Sequence, residues 1–63
     1  MIYEEIIFCG DGQAPTQFGC YRDTNLREAI KCIRADYPAL NGVILVLFRG
    51  RYKFIGYLGD IVA

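Results

Sequence analysis

The stretch Val43-Ile44-Leu45-Val46-Leu47-Phe48-Arg49-Gly50-Arg51-Tyr52-Lys53-Phe54-Ile55-Gly56-Tyr57 decides the architecture. Val43 to Phe48 is a continuous apolar run of strand length. Arg49-Gly50-Arg51 is a tight hairpin connection, because glycine tolerates the positive φ that such turns demand. Tyr52 to Leu58 is the returning strand. Alternation sends Val43, Leu45 and Leu47 to one face, and Ile44, Val46 and Phe48 to the other. Tyr52 and Phe54 against Ile55 and Tyr57 repeat the pattern. Both faces of this hairpin are therefore apolar.

On the N-terminal side, Asn41-Gly42 supplies a turn, and Pro38 disfavours helical geometry at Tyr37. Before it, Leu26, Ala29, Ile30, Ile33 and Tyr37 recur at helical spacing and predict a helix from Leu26 to about Asp36. Asn25-Leu26-Arg27-Glu28 has the form of a capping box, in which Asn25 accepts from the Glu28 N–H and Glu28 reaches back to Asn25. Phe18 to Arg22 reads as a short second strand. The loop formers Gly10-Asp11-Gly12-Gln13-Ala14-Pro15 precede it. Ile2 to Cys9 is the first strand, with Ile2, Ile6 and Phe8 on one face and Tyr3, Ile7 and Cys9 on the other. The order strand, strand, helix, strand, strand predicts one α+β domain over residues 1–63, with one helix on one face of a four-stranded sheet.

Sixty-three residues bury only roughly 60% of the surface that the unfolded chain exposes. Apolar residues make up 54% of the chain, a share that favours a dense core or a partner over disorder. Seven basic residues balance seven acidic ones. That balance argues against a dedicated nucleic-acid binder, whose affinity rests on phosphate neutralisation. The apolar runs are too short to span a bilayer, and no signal-peptide pattern opens the chain, so a cytoplasmic protein is expected. Cys9, Cys20 and Cys32 form no CxxC pair and are expected to be free thiols.

The sequence contains no serine and no histidine, which removes Ser–His and Cys–His nucleophile pairs. Adjacent Glu4 and Glu5 point to opposite sides of a strand and cannot pair as acid and base. Asp11 in its glycine loop reads as a loop-shaping residue. A non-enzymatic protein is expected, with no catalytic residue, cofactor or metal.

One helix leaves one apolar sheet face without a layer, and an uncovered apolar patch marks an interaction surface. Alternation leaves open which set points outward. The interface is placed on Tyr3, Ile44, Val46, Phe48, Tyr52, Phe54 and Tyr57, with a protein partner or a homodimer as occupant. The alternative surface is basic: Arg27, Lys31 and Arg34 on the helix, with Arg49, Arg51 and Lys53 on the hairpin.

Phe8-Cys9-Gly10-Asp11, Phe18-Gly19, Glu28-Ala29-Ile30, Pro38-Ala39 and Gly50-Arg51-Tyr52 follow one another in an order that resembles the N-terminal ubiquitin-like domain of the lambda-type phage tail assembly protein I family. The resemblance runs over nearly the whole length. The family's glycine-rich C-terminal region has no counterpart here, and the segment between Phe18 and the helix reads as shorter than a full strand. The resemblance implies a β-grasp-like ββαββ fold, a phage or prophage origin, a place in the host bacterial cytoplasm, and a role near tail-tip assembly by protein contact. A stand-alone copy of such a domain would act as a mimic that occupies a tail-assembly protein, as blockers of competing phages do. The rival expectation is an inhibitor of a bacterial defence complex, similar in style to small α+β anti-CRISPR proteins and dependent on the basic residues.

Overall fold

The computed structural model describes residues 1–11 and 18–61. The chain forms β1 (Tyr3–Gly10), β2 (Phe18–Thr24), α1 (Leu26–Asp36), β3 (Gly42–Phe48), β4 (Arg51–Tyr57) and a closing 3₁₀ turn, Leu58–Asp60. The expected α+β architecture is present: one helix lies on one four-stranded sheet. Of the expected loop, Gly10 ends β1 and Asp11 follows it, while residues 12–15 lie outside the described set.

The strands run in the order β2-β1-β3-β4, and every neighbouring pair is antiparallel. This order is not strictly that of a β-grasp, which corrects the topology implied by the resemblance. β2 and β3 both oppose β1, so they run parallel to each other with β1 between them. The helix supplies the crossover that such a parallel relation requires. β2 also continues through Thr24, two residues beyond the predicted end, with Asp23 inside it at a φ of +52°.

Asn25 caps α1 by accepting from the Glu28 N–H at 2.8 Å. Glu28 itself pairs with Lys31 at 3.6 Å. At the far end, the Tyr37 N–H donates to the Ile33 carbonyl, and Pro38 follows. Ala29, Ile30 and Ile33 are buried on the sheet, with Leu26 and Tyr37 half-buried beside them, as helical spacing predicts.

The core consists of these residues with Ile6 and Phe8 of β1, Ile44 and Val46 of β3, and Leu58. The helix packs over β1 and β2, and the 3₁₀ turn packs on β3. The turn is tied back by the Gly59 N–H, which donates to Asn41 Oδ1 at 2.8 Å. Two tyrosines fasten the helix end to β2: Tyr21 donates to Asp36 Oδ2, and Tyr37 donates to the Phe18 carbonyl, both at 2.7 Å. Burial, followed by the Asp36 carboxylate, pushes the Tyr21 hydroxyl pKa up from its ordinary value. No helix among the described residues is long and apolar enough to cross a membrane, and Cys9, Cys20 and Cys32 are free.

Gly42 is a point of close approach between β3 and β1. A Cβ there would collide with the Cys9 carbonyl oxygen and come within 2.8 Å of the Phe8 ring. Ile30→Ala should cost about 2–5 kcal/mol by opening a cavity in the core. Gly42→Ala should cost roughly 1–3 kcal/mol by forcing β1 and β3 apart. Denaturant melts of both variants check this; an unchanged midpoint for Ile30→Ala would contradict the placement of the helix.

Candidate protein-binding face

The sheet register resolves the two apolar faces. On the side away from the helix, the pairings align three rows across the strands in the order β2, β1, β3, β4. They are Phe18–Cys9–Val43–Tyr57, Cys20–Ile7–Leu45–Phe54 and Arg22–Glu5–Leu47–Tyr52. Ten of these twelve side chains are aliphatic, aromatic or thiol. Phe18, Tyr52, Phe54 and Tyr57 are exposed, and the side chains in the two central columns are half-buried by their neighbours.

Tyr57 reaches this face through an irregularity in β4. Val43 pairs with Tyr57 and Ile44 with Gly56, but Leu45 pairs with Phe54, so Ile55 is an extra residue. Such a bulge shifts alternation by one. Ile55 turns inward against the core, and Phe54 and Tyr57 meet edge to face with centroids 6.3 Å apart. Gly56 accommodates the bend with a φ of +152°, a region open essentially to glycine.

Several expected interface residues lie elsewhere. Ile44 and Val46 are buried in the core beneath the helix. Phe48 shares their face and sits half-buried against Tyr3, with centroids 5.9 Å apart. Tyr3 itself packs against the core cluster, away from Ile7 and Cys9. Tyr3 still pairs with Thr24, in the register that holds Glu5 opposite Arg22. Ile2 precedes the strand and is exposed.

The hairpin turn decides which β3 residues share a face with Tyr52 and Phe54. A three-residue turn, Arg49-Gly50-Arg51, pairs Phe48 with Tyr52 and so places Val46 and Phe54 together. The actual turn has two residues, Arg49 and Gly50, with φ of +52° and +77°. It pairs Phe48 with Arg51 and Leu47 with Tyr52. A slip of one residue exchanges the faces. Tyr52, Phe54 and Tyr57 lie on the open face as placed. Val43, Leu45, Leu47, Ile7, Cys9, Phe18 and Cys20 join them there. A two-residue reading of Arg49-Gly50 would have found the β3 members.

The polar row closes one end of the face. Glu5 lies between Arg22, whose Nε is 3.4 Å from Oε2, and Tyr52, whose hydroxyl donates to Oε1 at 3.0 Å across Leu47. The Cys20 thiol, the Tyr52 hydroxyl and Arg22 hold the Glu5 carboxyl below its ordinary 4.5, against the opposing effect of desolvation. The same carboxylate raises the Tyr52 hydroxyl pKa. Glu4 serves the other side, where it accepts from the Arg49 N–H at 2.8 Å.

The six basic residues are dispersed in their contacts. Arg34 donates to the Ile61 carbonyl at 3.3 Å, Lys31 pairs with Glu28, and the Arg49 guanidinium lies 5.2 Å from the centre of the Phe48 ring. Arg27, Arg51 and Lys53 are exposed. No group of three or more potential metal-ligating side chains occurs among the described residues. An open groove of about 440 Å³ lies between the helix end and the 3₁₀ turn, lined by Arg34, Tyr37, Leu40 and Leu58 among others. No family model matches the chain, and no curated protein or solved structure matches it either.

Because the Glu5 pKa is lowered on folding, its contribution to stability is present above about pH 4.5 and is lost as pH falls through the folded value. Tyr52→Phe or Arg22→Ala should move the Glu5 pKa upward toward its ordinary value. An NMR titration of the side-chain carboxyl checks this; a pKa unchanged in both variants would contradict the network.

Proposed function

We propose that the chain is a non-enzymatic protein-binding module that acts through the open face of its sheet. One observation carries the reading: a contiguous three-by-four array, apolar except for one paired polar row, with aromatic side chains filling the β4 column and Phe18 on the β2 column. Antiparallel sheets normally turn a polar face to water when only one side is covered. Exposed aromatic anchors around aliphatic residues have the composition of an interface centre. The sequence supports the absence of catalysis, having neither serine nor histidine.

The partner class comes from the resemblance to the phage tail assembly protein I family. Its five short motifs support a tail-assembly component as the protein bound, with this chain as a competitor for that site. The strand order adds no support to that choice of partner. The defence-inhibitor reading requires the basic residues to act together. Arg34, Lys31 and Arg49 already have partners within the chain, which favours the apolar face.

The tagged chain, used as bait in lysates of cells producing a lambda-type phage, should retain a tail-assembly protein. Leu45→Lys should abolish that retention with the melting temperature unchanged, while Arg27→Glu should leave it intact. Retention of a nuclease complex that depends on Arg27 and not on Leu45 would replace this function with the defence-inhibitor one.

A further inference from the structure

The twelve-residue array is asymmetric in size. Its β4 column is wholly aromatic: Tyr57, Phe54 and Tyr52. Its β2 column is Phe18, Cys20 and Arg22, with a small thiol at the centre. A bulky edge thus lies on one side of the face and an edge with a central gap on the other. A two-fold axis parallel to the strands, passing over the seam between β1 and β3, lays each β4 column over the β2 column of the other copy. Phe54 then meets the gap at Cys20, Tyr57 meets Phe18, and Ile7 meets Leu45. The polar row meets the polar row, which brings the exposed Arg22 guanidinium to the Tyr52 ring of the second copy.

Charge and area agree with this arrangement. The only ionised groups in the array are Glu5 and Arg22, which are opposite in sign and already paired, so two copies meet without net repulsion. Phe18, Tyr52, Phe54 and Tyr57 are 65, 59, 55 and 44% exposed. At roughly 150–250 Å² for each aromatic side chain, they offer on the order of 450 Å² per copy. The half-buried residues between them and the exposed Cys20 add to this. Two copies therefore pass the roughly 1,000 Å² that a specific interface requires. Face-to-face packing of two twisted sheets is itself a standard solution, with layers about 10 Å apart.

We infer that the occupant of the open face is a second copy of this chain, giving an isologous dimer whose two sheets form an eight-stranded sandwich with a helix on each outer side. The inference rests on the open face being a protein-binding surface, and it names the occupant of that surface when no other protein holds it.

Sedimentation equilibrium of the full chain should give twice the mass of one chain, and Leu45→Asp should give a single-chain mass with the circular dichroism spectrum retained. Orientation is read by cross-linking in a chain carrying Cys9→Ala and Cys32→Ala. There, Phe54→Cys should be joined to Cys20 of the second copy by a bis-maleimide that spans about 10 Å, the separation of packed sheets, whereas Lys53→Cys, on the helix side, should not. A single-chain mass for the unmodified protein at high micromolar concentration would overturn the dimer. Loss of phage-protein retention in Leu45→Lys would then still uphold the binding face. A dimer that survives Leu45→Asp would overturn the inference by placing the contact elsewhere. Cross-linking from Lys53→Cys in preference to Phe54→Cys would do the same.

Discussion

Ile30 and Ile33 pack onto Ile6, Phe8, Ile44 and Val46, and this contact fixes the inward side of every strand. Once Ile44 and Val46 face the helix, period-two geometry sends Val43, Leu45 and Leu47 the other way, and the hairpin register carries Tyr52 and Phe54 with them. The helix has a single apolar stripe, so it covers a single side. A chain of this size has little left for a second layer, and the apolar composition of β3 makes its outer side as water-averse as its inner one. The open apolar face is thus a consequence of how the core is built.

Much of this was legible in the residues. The helix bounds follow from the Asn25 cap and Pro38, both of which act through local backbone chemistry. The run from Val43 to Phe48 is a strand by length and composition, and the uncovered face follows from counting layers. What was not legible depended on register. Whether Arg51 belongs to the turn or to the strand is a matter of one residue, and that residue decides whether Val46 or Leu45 shares a face with Tyr52 and Phe54. The contact of Tyr3 with Phe48 and the core departs from the period of two, and no pattern within Ile2 to Cys9 encodes it. The strand order likewise comes from tertiary packing, which no periodicity records.

The paired row Arg22–Glu5–Tyr52 shows how a largely apolar face keeps one polar end. Tyr52 lays its ring along Leu47 while its hydroxyl reaches Glu5, so one side chain both covers apolar surface and satisfies a carboxylate. A lone carboxylate among aliphatic groups would be costly to desolvate. With three donors around it, Glu5 remains ionised and gives the face a direction, because one end carries hydrogen-bonding groups and the other aromatic ones.

The extra residue at Ile55 also bears on what the β4 edge offers to another strand. A sheet whose edge strands among the described residues are β2 and β4, and which carries a sticky face, could grow sideways without limit, as fibrils do. Growth along β4 requires a straight ladder of unpaired backbone groups. The bulge interrupts that ladder midway, and Arg51 and Lys53 add charge to the same margin. Lateral addition is thereby discouraged at β4 while the broad face stays available. The irregularity that brings Tyr57 to the face thus also makes the β4 edge a poor template for an open-ended ribbon.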